Sequence, residues 1–290
     1  MISPWLTSDS DRPLEEALER GDVHVLAPPI PLPAPADQEF LRTQELRLAK
    51  EIVFEASSGR LSGFRPRSPG QTSRLQTILE TSQRQASEWL QGLLPRYTGH
   101  LIPARTCFHV AEEATRRLRV TSRYDLLHFD TLHHSRGRRI LRLFVNLNPT
   151  DSRVFASSRT LAEVLPEFGP KSGLFDAGRE HWSTRVGREV LKLFRPDFAN
   201  CDPFDQFMIE FSRYLKHSEE FQDKSIRKVH RFAPGQAWLA FTDSLIHADL
   251  RGRWVLDHMF LIPTNVCALP EIAPIAIYEN LRGSLSRRVG

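Results

Sequence analysis

The sequence predicts a mainly β chain with flanking helices: a double-stranded β-helix of the jelly-roll, cupin-like kind, preceded by N-terminal helices and interrupted by a helical insert at about 158–226. Three observations carry this expectation. Alternating apolar segments gather in two regions, before Pro149 and after Lys228. Helical periodicity fills the interval between them. A His-x-Asp pair, His128 and Asp130, stands in the early region, and His247 closes a late strand. That is the order in which this architecture delivers metal ligands, the last one arriving from a late strand at the mouth of the barrel.

The stretch around which the rest is organised is Leu126 to Pro149, LLHFDTLHHSRGRRILRLFVNLNP. In a strand, positions i and i+2 share a face, so an imidazole and a carboxylate stand side by side. Two His and one carboxylate on one face of a metal are the ligand set of non-haem Fe(II) oxygenases, with positions left for a co-substrate and O2. The pair alone is weak, since His247-Ala248-Asp249 repeats it. That rival would need His258, on the very next strand, as third ligand, which leaves no room for the intervening barrel strands. Beyond the pair, Leu141, Leu143, Val145 and Leu147 point one way and Ile140, Arg142, Phe144 and Asn146 the other. The strand is therefore expected to be buried on both faces. A guanidinium there, Arg142, requires a carboxylate, because an unpaired buried charge costs several kcal/mol.

In chain order, Asp11, Pro13 and Gly21 bracket a short helix, and Val23 to Leu26 reads as a strand. Ala27 to Pro35 is an extended proline-rich connector. Gln38 to Glu55 shows a helical stripe through Leu41, Leu46, Ala49 and Val53, and Ala56 to Gln71 reads as a loop. A helix follows from a Thr72/Ser73 cap through Leu75, Ile78, Leu79, Ala86, Trp89, Leu90 and Leu93 to Pro95. Thr106 to Val110 and Tyr124 to Asp130 read as strands, with a helical turn over Glu112 to Leu118 between them. After Pro149 the strand signals fade; Arg159 to Phe168, Gly187 to Leu193 and Phe204 to Leu215 read as helices, the last with an aromatic stripe suited to core packing. Lys228 to Phe232, Gln236 to Ile246 and Trp254 to Pro263 are the closing strands. The expected division is an N-terminal segment 1–71, an oxygenase domain 72–270 and a basic tail 271–290.

The 290 residues suffice for one large core, and the balance of 40% hydrophobic and 26% charged residues is that of a soluble globular chain. A net charge of +4 with no dense basic run argues against a nucleic-acid partner. Cys107, Cys201 and Cys267 are widely spaced, which disfavours a disulfide framework or zinc ribbon. No long apolar run or signal-peptide pattern is visible, so a cytoplasmic protein able to touch a membrane face is expected.

The sequence resembles the Kdo hydroxylases, iron- and 2-oxoglutarate-dependent dioxygenases that act on 3-deoxy-D-manno-oct-2-ulosonic acid in the inner core of bacterial lipopolysaccharide. The resemblance rests on LLPRY at Leu93 to Tyr97, LLHFD at Leu126 to Asp130, RGRRILRLFVNLNP at Arg136 to Pro149, FDQFMIEF at Phe204 to Phe211, and APGQAWLAFTDSLIHADLRGRWVLDHMFLIP at Ala233 to Pro263. It implies that His128, Asp130 and His247 bind Fe(II), that 2-oxoglutarate chelates the metal beside them, and that O2 is consumed. It also implies that carbon 3 of Kdo is hydroxylated in Kdo-lipid A, an anionic glycolipid met at the inner face of the inner membrane. Where the family pattern runs closer to His-Val-Asp-Ala-Phe and a proline-bearing loop, this chain has Thr131, Leu132, His133 and His134. Asp257 and His258 stand where many relatives of the wider superfamily place an Arg for the co-substrate carboxylate. Arg142, with Asn146 beside it, is then the expected anchor and Arg253 the fallback. Arg123, Arg136, Arg138, Arg139, His133 and His134 are the expected substrate contacts. Another sugar acid, lipid or small metabolite as substrate, and a non-catalytic glycolipid-binding protein, are the alternatives.

Overall fold

The computed structural model describes residues 12–47, 49–112, 117–175 and 202–289, without the side chains of 285–289. Two sheets form the core. The larger has the strand order β1-β8-β5-β10-β4-β2-β3 and the smaller β7-β6-β9. These are β1 (His24–Leu26), β2 (Ile52–Glu55), β3 (Arg60–Ser62), β4 (Ile102–His109), β5 (Arg139–Asn146), β6 (Arg153–Thr160), β7 (Lys228–Phe232), β8 (Ala237–Phe241), β9 (Leu245–Arg251) and β10 (Val255–Ile262). An isolated antiparallel bridge between His128 and His247 adds a fourth member to the smaller sheet beside β9. From β4 onward the chain alternates between sheets: β4 large, His128 small, β5 large, β6 and β7 small, β8 large, β9 small, β10 large. This is the expected double-stranded β-helix, eight strand positions with the second shortened to one bridge.

β5 is buried along its whole length. Its Leu141, Leu143 and Val145 join the core beneath α3 (Pro69–Leu93), which contributes Leu75, Ile78, Leu79, Ala86 and Leu90. The opposite face looks into the barrel, whose floor is an aromatic stack of Phe144, Phe155, Phe232 and Trp238 with Val255. Outside the small sheet, Leu127, Phe129, Ala156 and Ala248 meet α4 (Leu161–Phe168) and α5 (Pro203–His217), with α6 (Glu219–Lys224) alongside. The stripe Phe204, Phe207, Met208, Phe211 and Leu215 is core packing, as its spacing predicts.

Several elements differ from expectation. The helix over Gln38 to Glu55 stops early: α2 spans Pro35–Arg42, and 52–55 is β2, paired with β4. The loop over 56–71 contains β3, and Ser68, whose hydroxyl accepts from the Gln71 N–H, caps α3 ahead of the expected start. β6 went unrecognised because its inward positions include Arg153 and Ser157, which break the apolar alternation. The tail is α7 (Pro274–Val289), with Ile275, Ile277, Tyr278 and Leu281 against the α5 cluster. The short N-terminal helix is α1 (Leu14–Glu19), while its Asp11 start, the Gly187 to Leu193 helix and most of the Glu112 to Leu118 turn lie outside the described residues.

Candidate metal centre

The bridge that completes the small sheet also builds the site. His128 donates its N–H to the His247 carbonyl at 2.9 Å, and His247 donates to the His128 carbonyl at 2.8 Å. Directly opposed residues of an antiparallel pair share a face, and the two rings lie 4.6 Å apart between centroids. Each imidazole turns Nδ1 toward a carbonyl two residues back, Leu126 at 2.7 Å and Leu245 at 2.9 Å. A carbonyl only accepts, so Nδ1 carries the proton and Nε2 keeps its lone pair for a metal. Asp130, two residues past His128 and fixed by its N–H on the Thr242 carbonyl at 2.7 Å, brings its carboxylate to the same face. Its oxygens lie 3.9 Å from each of the two Nε2 atoms. One ligand atom from each of the three residues falls within 4.8 Å of the others, the only such group among the described residues.

The protonation states suit a metal. Burial, with Lys216 and His247 adding to it, holds His128 well below the ordinary imidazole range. Burial alone would raise Asp130, but the Arg142 guanidinium overrides it and holds the carboxyl below the usual range. Two imidazoles that turn Nε2 to one face and one ionised carboxylate, buried and convergent, fit Fe(II).

Arg142 does find carboxylates, and both belong to the chain. Its Nη1 donates to Asp130; its Nε donates to Asp257 at 2.9 Å and its Nη2 to the other Asp257 oxygen. Asp257 is fully buried and also lies 3.4 Å from His109 Nε2. Arg142, expected as the co-substrate anchor, is thus engaged by two carboxylates of the chain itself and orients Asp130. The rival pair is settled in the same way. Asp249 is held by Arg153 at 2.8 Å, deeper in the barrel, and His258 turns to the other sheet face, toward Thr106 Oγ1 at 3.1 Å.

Two other expected cofactor contacts are also corrected. Asn146 is fully buried, giving its amide hydrogens to the Asp151 and Phe232 carbonyls and accepting from the Asn148 N–H, each at 3.0 Å. It holds the β5–β6 turn. Arg253 lies in the β9–β10 turn, exposed and stacked 3.7 Å over Trp254.

Of the expected substrate contacts, Arg139 is corrected: it is buried on the β5 face away from the barrel, where Asp243 and Ser244 accept from it at 2.8 Å. Asp243 is thereby the partner of this arginine. Arg123 is clamped to Asp125. Arg136 and His134 are exposed at positive φ, and Arg138 shares a small hollow with Asp130. His133 lines the cavity that opens onto the metal face.

That cavity, of about 250 Å³, brings together His128 and Asp130 with Lys50, Tyr124, Ser212, Arg213 and Lys216. Tyr124 stacks on His128 at 5.8 Å, and the Lys50 and Lys216 ammonium groups lie 4.6 and 5.7 Å from its ring. Lys216 is buried, donating to the Arg123 carbonyl at 2.7 Å. Sequence reasoning missed both lysines. Lys50 sat in an expected helix, and Lys216 at the end of a stripe assigned wholly to packing; a lone cation among the buried positions of α5 was the available signal. A larger hollow of about 500 Å³, between α3 and the β2 side of the large sheet, contains none of the metal-site residues.

Comparison with known proteins agrees with this geometry. The family model for 3-deoxy-D-manno-oct-2-ulosonic acid (Kdo) hydroxylase matches residues 3–285. Solved structures of the Kdo hydroxylase KdoO, a non-heme Fe(II) alphaketoglutarate dependent dioxygenase, superpose over 91% of this chain and 87% of theirs. The complex with alphaketoglutarate and Fe(III) has 25% identity and a TM-score of 0.76. The apo form and the cobalt(II) complex each have 26% identity and a TM-score of 0.77. No curated protein matches the sequence.

Proposed function

Because the chain belongs to the Kdo hydroxylase family, we propose that it hydroxylates carbon 3 of Kdo in Kdo-lipid A, at the inner face of the bacterial inner membrane. It is an Fe(II)- and 2-oxoglutarate-dependent dioxygenase. The observation that carries the reading is the convergent face of His128, Asp130 and His247 at a cationic cavity.

When bound there, iron and 2-oxoglutarate supply the oxidation, in which the keto acid leaves as succinate and CO2 while one oxygen atom enters a C–H bond. The chain's own part is positional. His128 and His247 present Nε2 atoms whose direction is fixed by the carbonyls behind Nδ1. Arg142 keeps Asp130 ionised and limits its rotation. His128, Asp130 and His247 would hold the metal, and His133, on the cavity wall and outside that group, is assigned to substrate. The sugar carboxylate is assigned to Lys50, Lys216 and Arg213, which meet at the cavity; a charge-assisted contact there aligns the sugar ring against the metal face.

An anaerobic titration of the apoprotein with Fe(II) and 2-oxoglutarate tests the cofactor set. Wild type should develop the weak visible charge-transfer band of a chelated keto acid, and His247→Ala should not. A wild type that stays colourless while binding Kdo-lipid A would replace the oxygenase reading with a glycolipid-binding one.

A further inference from the structure

The large hydrophobic side chains left exposed among the described residues are few, and two lie close together: Ile226, 82% exposed, and Val229, 52% exposed. Around them the sequence reads Ile226-Arg227-Lys228-Val229-His230-Arg231, with no acidic residue before Asp243. Arg227, Lys228 and Arg231 are exposed. Lys224 is excluded from this cationic set because Glu220, which also meets Lys171, lies 3.7 Å from it. Glu219 and Asp223 are the further acids of α6, the helix that precedes the segment. β7 is an outer strand of the small sheet, and cations on an edge strand commonly guard against pairing with other chains. That role accounts for the charges but leaves a nearly bare isoleucine without a reason.

The register places this segment relative to the metal. Ser157 of β6 pairs with His247 on one side and Lys228 on the other. Lys228 therefore lies on the same cross-strand row as His247, two strand spacings away, or roughly 10 Å between Cα atoms. Ile226 continues two residues toward the end of the barrel at which His128 and Asp130 sit, and its carbonyl accepts from Ser158 Oγ at 2.6 Å. Ile226 to Lys228 thus stand at the rim of the metal face, and Val229 to Arg231 continue along the edge strand away from it, Arg231 pairing with Val154 and Val154 with Arg251.

We propose that 226–231 is the surface by which this protein docks on an anionic lipid membrane, inserting Ile226 and Val229 between headgroups while Arg227, Lys228 and Arg231 meet the lipid phosphates. This rests on the reading above that the substrate is lipid-borne, and it brings the edge of the small sheet, with Ile226 at the metal rim, against the layer that carries the sugar. Apolar insertion plus juxtaposed cations is the combination that holds proteins at an interface. Each cation near an anionic leaflet raises affinity about fivefold.

The test is co-sedimentation of the full chain with vesicles of phosphatidylcholine alone or mixed with phosphatidylglycerol. Wild type should bind the mixed vesicles and leave the neutral ones. Arg227→Ser/Arg231→Ser should weaken that binding roughly 25-fold, and Ile226→Ser/Val229→Ser at least about tenfold. All three proteins should bind Co(II) equally and turn over a delipidated Kdo oligosaccharide equally. Absence of wild-type binding to anionic vesicles, or undiminished binding by either variant, overturns the proposal. Loss of vesicle binding in the variants, with no Kdo hydroxylation by wild type, leaves the docking surface standing and removes the substrate reading instead.

Discussion

Arg142 lies between Asp130, the carboxylate of the candidate metal centre, and Asp257, a fully buried carboxylate, and donates to both. One guanidinium on an inward position of β5 thereby fixes a ligand on the bridge segment to a residue of β10. The carboxylate of the metal face is thereby tied to the middle of the larger sheet.

Arg142→Gln should leave Asp257 as an uncompensated buried charge and release Asp130. The expected destabilisation is about 3–5 kcal/mol, the usual cost of breaking a buried pair from one side. Denaturant unfolding of the apoprotein reads this, and Co(II) titration should show weaker binding. Arg142→Lys, which keeps the charge and loses the fork, should fall between.

The cationic cavity wall gives a separable effect. Lys50→Met should raise KM for the Kdo substrate roughly 10- to 100-fold, the range of one charge-assisted hydrogen bond of about 1.5–3 kcal/mol. The apparent Kd for 2-oxoglutarate should stay unchanged. Steady-state kinetics with each substrate varied in turn distinguish this from a general loss of fold.

Apoprotein stability should fall as pH drops from about 6.5. Burial pushes His258 down to about 3 and His230 down to about 4. Each is neutral when folded and protonated when unfolded across that window. The unfolded state therefore binds more protons, and stability rises with pH there. His258→Gln removes one such group and should flatten the slope between about pH 3 and 6.5, measured by denaturant midpoints.

The docked C-terminal helix also yields a prediction. Gly137 has φ +75°, and a Cβ built on it would collide with Ile275 of α7. Gly137→Ala should destabilise by about 1–3 kcal/mol through backbone strain alone, with the clash added. Thermal unfolding reads the loss, and early proteolysis of the tail would mark the displaced helix.

Much of the site was legible because it depends on spacing. The i, i+2 relation of His128 and Asp130 fixes their common face, and the closing strands carry His247 to the opposite side of the same bridge. The demand of Arg142 for a carboxylate was also legible, but its supplier was not. Asp257 pairs across β5 and β10 at long range, and alternation within one strand says nothing about its neighbour. Arg139 and Asn146 misled for the same reason, being polar residues satisfied by distant partners. The short β2 and the polar-studded β6 lacked enough periodicity to stand out, and the Arg-rich end of α7 masked the apolar face that docks it.

The most direct test of the central claim is product analysis of Kdo-lipid A incubated with the Fe(II)-loaded protein, 2-oxoglutarate and O2, beside His128→Ala. The account predicts a mass gain of one oxygen atom on the Kdo residue, in step with succinate, and neither product from the variant. Succinate released by wild type with no oxygen gained by Kdo would contradict it.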